Sequence, residues 1–102
     1  MAEEDRPKTT QAEEPPQSDE PLYVISVAAK LVRMPAWTLR VLDEQGIVVP
    51  QRTEKNRRLY SDRDLAKLAR VRTLTEEEGV NINGVRIILE IEEQRDKGEN
   101  KS

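Results

Sequence analysis

The chain has 102 residues, 35% hydrophobic with only three aromatic side chains, which allows one small domain with a modest core. It lacks Cys and His, which excludes disulfides, thiolate or imidazole metal sites and imidazole catalysis, and no segment resembles a signal peptide or a bilayer span. The net charge of −3 divides into −5 over residues 1–21, +6 over 22–75 and −4 over 76–102, which indicates either a polyanion-binding centre or a solvated charged face.

Residues 1–21 are predicted to form a disordered, acidic and proline-rich tail, because they hold four of the six prolines and almost no apolar side chain. The apolar run 22–25 is typical of a short strand, and Ser26 after it can cap a helix through its hydroxyl. Val27, Ala28 and Leu31 recur at helical spacing, so a first short helix is predicted with these residues on its apolar face.

A second helix is predicted over about residues 35–45, because Pro35 suits a helix start and Gly46 can take the left-handed conformation that ends one. Within it, Leu39 and Leu42 are spaced to face the core. The opposite face carries Ala36, Trp37, Arg40 and Glu44. Two short helices joined by a tight turn form a helix-turn-helix, whose second helix would present an Arg and a Trp to a partner.

A basic β-hairpin is predicted over residues 50–60, with its tip among residues 53–56. Ser61 and Asp64 then predict a capped third helix that ends near Gly79.

Asn83 is a candidate cap for a fourth helix, on which Val85, Ile88 and Leu89 form one apolar stripe. Ile87 and Ile91 lie on another side, where a small domain has little room to bury them. They are therefore candidates for a partner interface, such as one with a second copy of the chain, or for a loosely packed surface. Residues 96–102 are expected to be a flexible polar end, which leaves 22–95 as the folded domain.

A series of short motifs over about residues 23–92 resembles the MerR family of winged-helix regulators, and within it the HspR-type heat-shock repressors. The motifs are Val24-Ile25-Ser26-Val27-Ala28-Ala29, Thr38-Leu39-Arg40, Gly46-Ile47, Pro50, Arg52, Arg58-Leu59-Tyr60-Ser61, Asp64, Glu78-Gly79-Val80-Asn81 and Gly84-Val85. The sequence departs from the family pattern at three positions. Arg33 stands where the family usually has a turn glycine, Pro35 where it has a polar helix cap, and Leu42 where it has an aromatic residue. The family's long coiled-coil dimerisation helix would follow residue 102.

The resemblance implies a mainly α fold, a winged helix-turn-helix with a small β-hairpin wing and two further helices. It also implies that the second helix enters the major groove of DNA while the wing lies along the backbone or the neighbouring minor groove. The residues expected to contact DNA are Ala36, Trp37, Thr38, Arg40, Arg52, Lys55, Asn56, Arg57, Arg58 and Tyr60.

Alternatives stay open at several of these positions. Arg40 could instead be a surface ion-pair partner, and Trp37 could pack half-buried against Leu22 or Tyr23 rather than meet a sugar-phosphate edge or a thymine methyl. Arg57 and Arg58 alternate sides along a strand, so only one of them is expected to face DNA. Tyr60 could donate its hydroxyl to a phosphate or pack under the wing.

The function expected from the resemblance is sequence-specific transcriptional regulation: repression of heat-shock or chaperone genes from an inverted repeat in double-stranded DNA, in the bacterial cytoplasm at the nucleoid. HspR-type repressors use the DnaK chaperone as co-repressor, so DnaK and a second copy are the expected protein partners. No catalytic residue, metal ligand, cofactor or enzymatic activity is predicted. The alternatives are a protein-interaction module that docks a chaperone or another regulator, and an excisionase-like architectural DNA binder.

Overall fold

The computed structural model describes residues 18–101, and the side chains of residues 18–95. In this part of the chain, four α-helices accompany a small antiparallel sheet, in the order β1 (Tyr23–Val24), α1 (Ile25–Val32), α2 (Ala36–Glu44), β2 (Gln51–Arg52), β3 (Arg58–Tyr60), α3 (Asp62–Arg72) and α4 (Ile82–Lys101). A π-helical turn, Thr73–Glu77, follows α3 directly. The predicted architecture, a mainly helical winged helix-turn-helix, is confirmed.

The core is aliphatic apart from one tyrosine. It takes side chains from all four helices, from β3 and from the segment after α2, so a small number of large residues holds every element in place. The largest fully buried side chains are Tyr60, Leu39, Leu42, Leu68, Leu74, Val48, Val71 and Val85. Burying each such aliphatic side chain contributes roughly 1.5–3 kcal/mol to folding.

The first helix buries a face that shares only Ala28 with the predicted one. Val27 and Leu31 are exposed, whereas Ala28, Ala29 and Val32 are buried. Both sets fit helical spacing, but the alanines are small enough to let α1 lie close to both α2 and α3, which it contacts. The predicted Ser26 cap is also wrong. The helix begins at Ile25, directly after β1, and the preceding residue gives no side-chain cap.

The helix-turn-helix turn depends on Arg33 in the left-handed region, with φ 61° and ψ 44°. The Met34 N–H donates to the Ala29 carbonyl at 3.0 Å and the Arg33 N–H to the Lys30 carbonyl at 3.3 Å, the hydrogen-bond pattern of a Schellman cap. Gly46 ends α2 in the same way, as the sequence predicts, with φ 75°. The two sharp turns that orient α2 therefore depend on Gly46 and on Arg33, which is strained in the left-handed region.

The sheet has β3 in the middle, paired antiparallel with β1 and with β2. The hairpin tip lies where it is predicted: the Asn56 N–H donates to the Thr53 carbonyl at 2.8 Å, and Asn56 takes a positive φ of 66°. The strand predicted over 22–25 is shorter, and it extends the hairpin into a three-stranded sheet. The wing is thus anchored to the start of α1.

The last two helices begin at side-chain caps. Ser61 and Asp64 form the predicted capping box at α3, with both hydrogen bonds at 3.0 Å. At α4 the cap is Asn81, whose Oδ1 accepts from the Gly84 N–H at 2.9 Å. Asn83, the predicted cap, lies inside the helix, because α4 begins at Ile82, two residues before the start that a cap at Asn83 implies.

The structure describes only part of the two end segments that are predicted to be flexible. Residues 1–17 of the expected tail lie outside the described residues, whereas Asp19 forms an ion pair with Arg63 at 2.6 Å. At the other end, α4 continues through 96–101. Among the described helices, none combines the length and apolar character that a membrane span requires.

Replacing Arg33 with glycine should stabilise the fold. Left-handed strain costs an L-residue about 1–2 kcal/mol, which exceeds the roughly 0.5–1 kcal/mol entropic cost of a glycine. We expect Arg33→Gly to raise the free energy of unfolding, measured by denaturant titration, by about 1 kcal/mol at most. Arg33→Ala is the matched control, since it removes the same exposed side chain but keeps the strain. Equal stability of the two variants would contradict this account of the turn.

Candidate nucleic-acid interface

One face of α2 points away from the core and carries most of the second-helix residues expected at DNA. Trp37 is 63% exposed and Arg40 is exposed, while Leu39 and Leu42 on the opposite side are fully buried. Half-buried packing of Trp37, the alternative left open by the sequence, is therefore not what the structure shows. Thr38 is partly exposed, and Ala36 packs against the core. This face offers an indole and a guanidinium to a partner.

Arg40 forms no ion pair with any of the described residues, so its charge is available to a ligand. It lies one helical turn before Asp43 on the same helix, and residues at this spacing are neighbours on the helix surface. Asp43 in turn contacts the wing through Arg52 and Arg58, so Arg40 lies close to the wing.

Asp43 joins the wing to α2. Its Oδ2 accepts a hydrogen bond from Arg58 Nε at 2.7 Å and another from Arg52 Nη2 at 2.9 Å. The carboxylate side chain is only 8% exposed, which weakens screening by solvent. Since Arg52 and Arg58 pair with each other across β2 and β3, one carboxylate holds both strands of the wing against the reading helix.

The wing arginines divide into two kinds. The side chain of Arg58 is 18% exposed and is engaged by Asp43, whereas Arg57 is exposed and forms no ion pair with a described residue. Of the two, only Arg57 is free to point outward, while its contact with DNA stays a prediction. Lys55 and Asn56 are exposed at the hairpin tip. The cations directed outward are therefore Arg57 and Lys55, while Arg52 and Arg58 hold the wing in position.

Tyr60 does not belong to this surface. Its side chain is fully buried and its hydroxyl has no hydrogen-bond partner in the described part of the chain. Burial raises the pKa of the Tyr60 hydroxyl to about 12, so the group stays protonated at neutral pH. The expected phosphate contact is corrected: Tyr60 packs under the wing, as a member of the buried core.

The sequence prediction missed Asp43. The available signal was the position of Asp43, one turn after Arg40 and just before a hairpin with four basic residues. Nothing in the local sequence indicates which of those four cations the carboxylate binds. The structure places the remaining predicted residues of α2 and the wing on two adjoining elements. It does not place the Ile87 and Ile91 pair there, since both project from α4 and are more than half exposed.

Asp43→Asn should weaken the attachment of the wing. The substitution leaves Arg58 in a largely buried position without its charged acceptor, and a hydrogen bond to a charged group contributes about 1.5–3 kcal/mol. We expect the free energy of unfolding, measured by denaturant titration, to fall by about 1–3 kcal/mol. Glu44→Gln changes the net charge equally at an exposed neighbour and should have little effect. Equal losses for both variants would show that charge, rather than the wing contact, is responsible.

Comparison with known proteins identifies the same segment of the chain. The sequence model of the family described as MerR HTH family regulatory protein matches residues 23–91. The chain is 46% identical over 76 residues to the Streptomyces coelicolor protein named as heat shock protein HspR, which covers 74% of this chain and 50% of that one. It is 33% identical over 75 residues to the HTH-type transcriptional regulator GlnR of Bacillus anthracis and of Bacillus cereus, covering 74% of this chain and 57% of theirs.

These relatives are regulators rather than enzymes, in agreement with the sequence prediction. The chain spans about half the length of the relatives it matches. The match includes both helices of the helix-turn-helix, the wing, α3 and the first half of α4, and it confirms the predicted resemblance, including its HspR-like character. The chain belongs to the MerR family of helix-turn-helix regulatory proteins.

Proposed function

We propose that this chain reads DNA sequence, with α2 in the major groove and the wing on the adjacent backbone. The observation that carries the proposal is the exposed Trp37 and Arg40 face of α2 beside a cationic hairpin fixed to the same helix through Asp43. Major-groove readers of this class direct the N-terminal part of the second helix at base edges. Trp37 and Thr38 lie in that part of α2, and Arg40 follows one turn later.

The proposed contacts divide into those that read sequence and those that hold the protein on the duplex. Arg40 has the length and fork geometry for a bidentate contact to guanine, which provides ~1–3 kcal/mol of discrimination. Trp37 can meet a thymine methyl or the sugar edge. Lys55 and Arg57 neutralise phosphate and contribute affinity without sequence preference. Arg52 and Arg58 contribute less to phosphate binding, because both already donate hydrogen bonds to Asp43.

We propose further that the regulated genes are heat-shock or chaperone genes and that regulation is repression, in the cytoplasm at the bacterial nucleoid. The support is the 46% identity to a protein named for heat shock, compared with 33% for the GlnR regulators. DnaK, expected from the resemblance, remains part of this proposal as co-repressor.

A second copy of the chain is proposed to meet the exposed pair Ile87 and Ile91 on α4. These side chains are 56% and 53% exposed and lie one turn apart, so a two-fold contact would place the same pair on both sides. A patch of two isoleucines is far smaller than the roughly 1,200 Å² that stable interfaces bury. The two copies are therefore expected to meet when both halves of an inverted repeat are occupied.

Arg40→Ala and Arg57→Ala should weaken binding in different ways. The reading role predicts that Arg40→Ala lowers the ratio of affinities for an inverted-repeat and a scrambled duplex, by up to ~1–3 kcal/mol. The phosphate role predicts that Arg57→Ala weakens both duplexes alike and reduces the salt slope by about 1. Fluorescence anisotropy of labelled duplexes across a salt series measures both quantities. Arg95→Ala, an exposed cation on α4, is the control.

Equal losses on both duplexes for Arg40→Ala would remove the reading role from this residue. Binding by the unaltered protein that ignores sequence at every salt concentration would refute the proposed function itself, and would favour the architectural alternative.

Ile87→Gln with Ile91→Gln should reduce cooperativity on DNA while leaving the affinity for a single half-site unchanged. The factor by which occupation of one half-site raises affinity for the other, typically 5- to 150-fold, would fall towards 1, because the apolar contact between copies is lost. Titration of single and paired half-sites in a gel-shift assay separates the two quantities. Leu31→Gln, an equally exposed apolar position on α1, serves as control. Unchanged cooperativity in the double variant would show that the copies meet elsewhere.

A further inference from the structure

Arg86 links α4 to the end of the reading helix, and no function is assigned to it by the sequence or the proposed interface. Its Nη2 donates to the backbone carbonyl of Gln45 at 2.8 Å and approaches the side-chain Oε1 of the same residue at 3.2 Å. Gln45 is the C-cap of α2 and lies 41 residues away in sequence. The contact therefore joins two elements that the chain does not connect locally.

Gly46 and Ile47 donate to the carbonyls of Asp43 and Leu42 at the end of α2, and Arg86 adds a donor for the carbonyl of Gln45. The last carbonyls of a helix have no intrahelical partner and carry partial negative charge, so a cation there is stabilising. The last turn of α2 contains no basic residue of its own. Arg86 supplies both this donor and the missing charge from another helix.

The contact lies beside a polar cleft between the end of α2 and α4. The cleft, of about 170 Å³, is lined by Gly46 and Ile47 on one side and by Arg86, Leu89 and Glu90 among others on the opposite side. Leu42, Ile47 and Val48 pack the core side of the helix end, and the Arg86 hydrogen bonds fix the side that faces the cleft.

A change at this end is transmitted to the reading end. The nine residues of α2 make it about 13 Å long and the buried Leu39 and Leu42 hold its middle, so a tilt of about 10° would move its N-terminus by about 1 Å. A displacement of that size breaks a hydrogen bond to a base edge, which tolerates only a few tenths of an ångström. A phosphate contact by a flexible lysine or arginine tolerates it much better.

We infer that Arg86 is a positioning residue that sets the angle of α2 in the major groove and so determines sequence discrimination without contacting a base. The inference rests on the proposed DNA-reading function.

The test compares Arg86→Gln with Arg95→Gln, which removes the same charge from an exposed site on the same helix. Affinities for the inverted-repeat duplex and for a scrambled duplex of equal length are measured for both variants, and the ratio is the readout. General destabilisation lowers the active fraction for both duplexes equally, so it leaves the ratio unchanged. We expect Arg86→Gln to lower the ratio about tenfold, the size of one weakened base contact, and Arg95→Gln to leave it unchanged.

Two further variants sharpen the result. Arg86→Lys keeps a cation and one donor that can reach the Gln45 carbonyl, and should recover part of the ratio. Gln45→Ala removes only the weaker 3.2 Å contact and should change the ratio little.

Other outcomes overturn the inference. An unchanged ratio in Arg86→Gln, or equal losses on both duplexes with a smaller salt slope, would make Arg86 an ordinary surface or phosphate-binding residue. If the unaltered protein shows no preference between the duplexes, the proposed function fails instead, and the two failures are therefore distinguishable.

Discussion

The arrangement of this protein depends on one nearly buried carboxylate. Asp43 lies on α2 and accepts hydrogen bonds from Arg58 and Arg52, which belong to the two strands of the wing. The wing is also held by the buried Tyr60 and by the pairing of β3 with β1, but the Asp43 contact joins both of its strands to α2 directly. The exposed face of α2 and the hairpin therefore adjoin each other. The same contact neutralises part of the wing's charge, so Arg57 and Lys55 become the outward cations.

The features predictable from the sequence are those that local chemistry determines. Ser61 followed by Asp64 allows one capping arrangement, and Gly46 after a short amphipathic run ends a helix in one way. Leu39 and Leu42 can face the core only if Trp37 and Arg40 face away from it. The end of α2, the start of α3, the hairpin tip and the exposed face of α2 follow from such short-range rules, and so does the family resemblance.

The features that escaped prediction depend on contacts between distant residues. Asp43 and Arg58 are 15 residues apart and Arg86 and Gln45 are 41 apart, so no local pattern marks either pair. On α1 the periodicity fits two faces, and only the packing against α2 and α3 selects Ala28 and its neighbours. Tyr60 carries both an aromatic ring and a hydroxyl, and burial of the ring outweighed any use of the hydroxyl at the surface.

The central claim is that DNA meets the face formed by α2 and the hairpin tip. The most direct measurement is NMR of the isotope-labelled protein during titration with an inverted-repeat duplex, following backbone amides and the indole N–H of Trp37. The account predicts that the largest shift changes fall on residues 36–40 and 53–57, with a smaller change at the end of α2. Changes confined to α4, with the Trp37 indole unaffected, would contradict it.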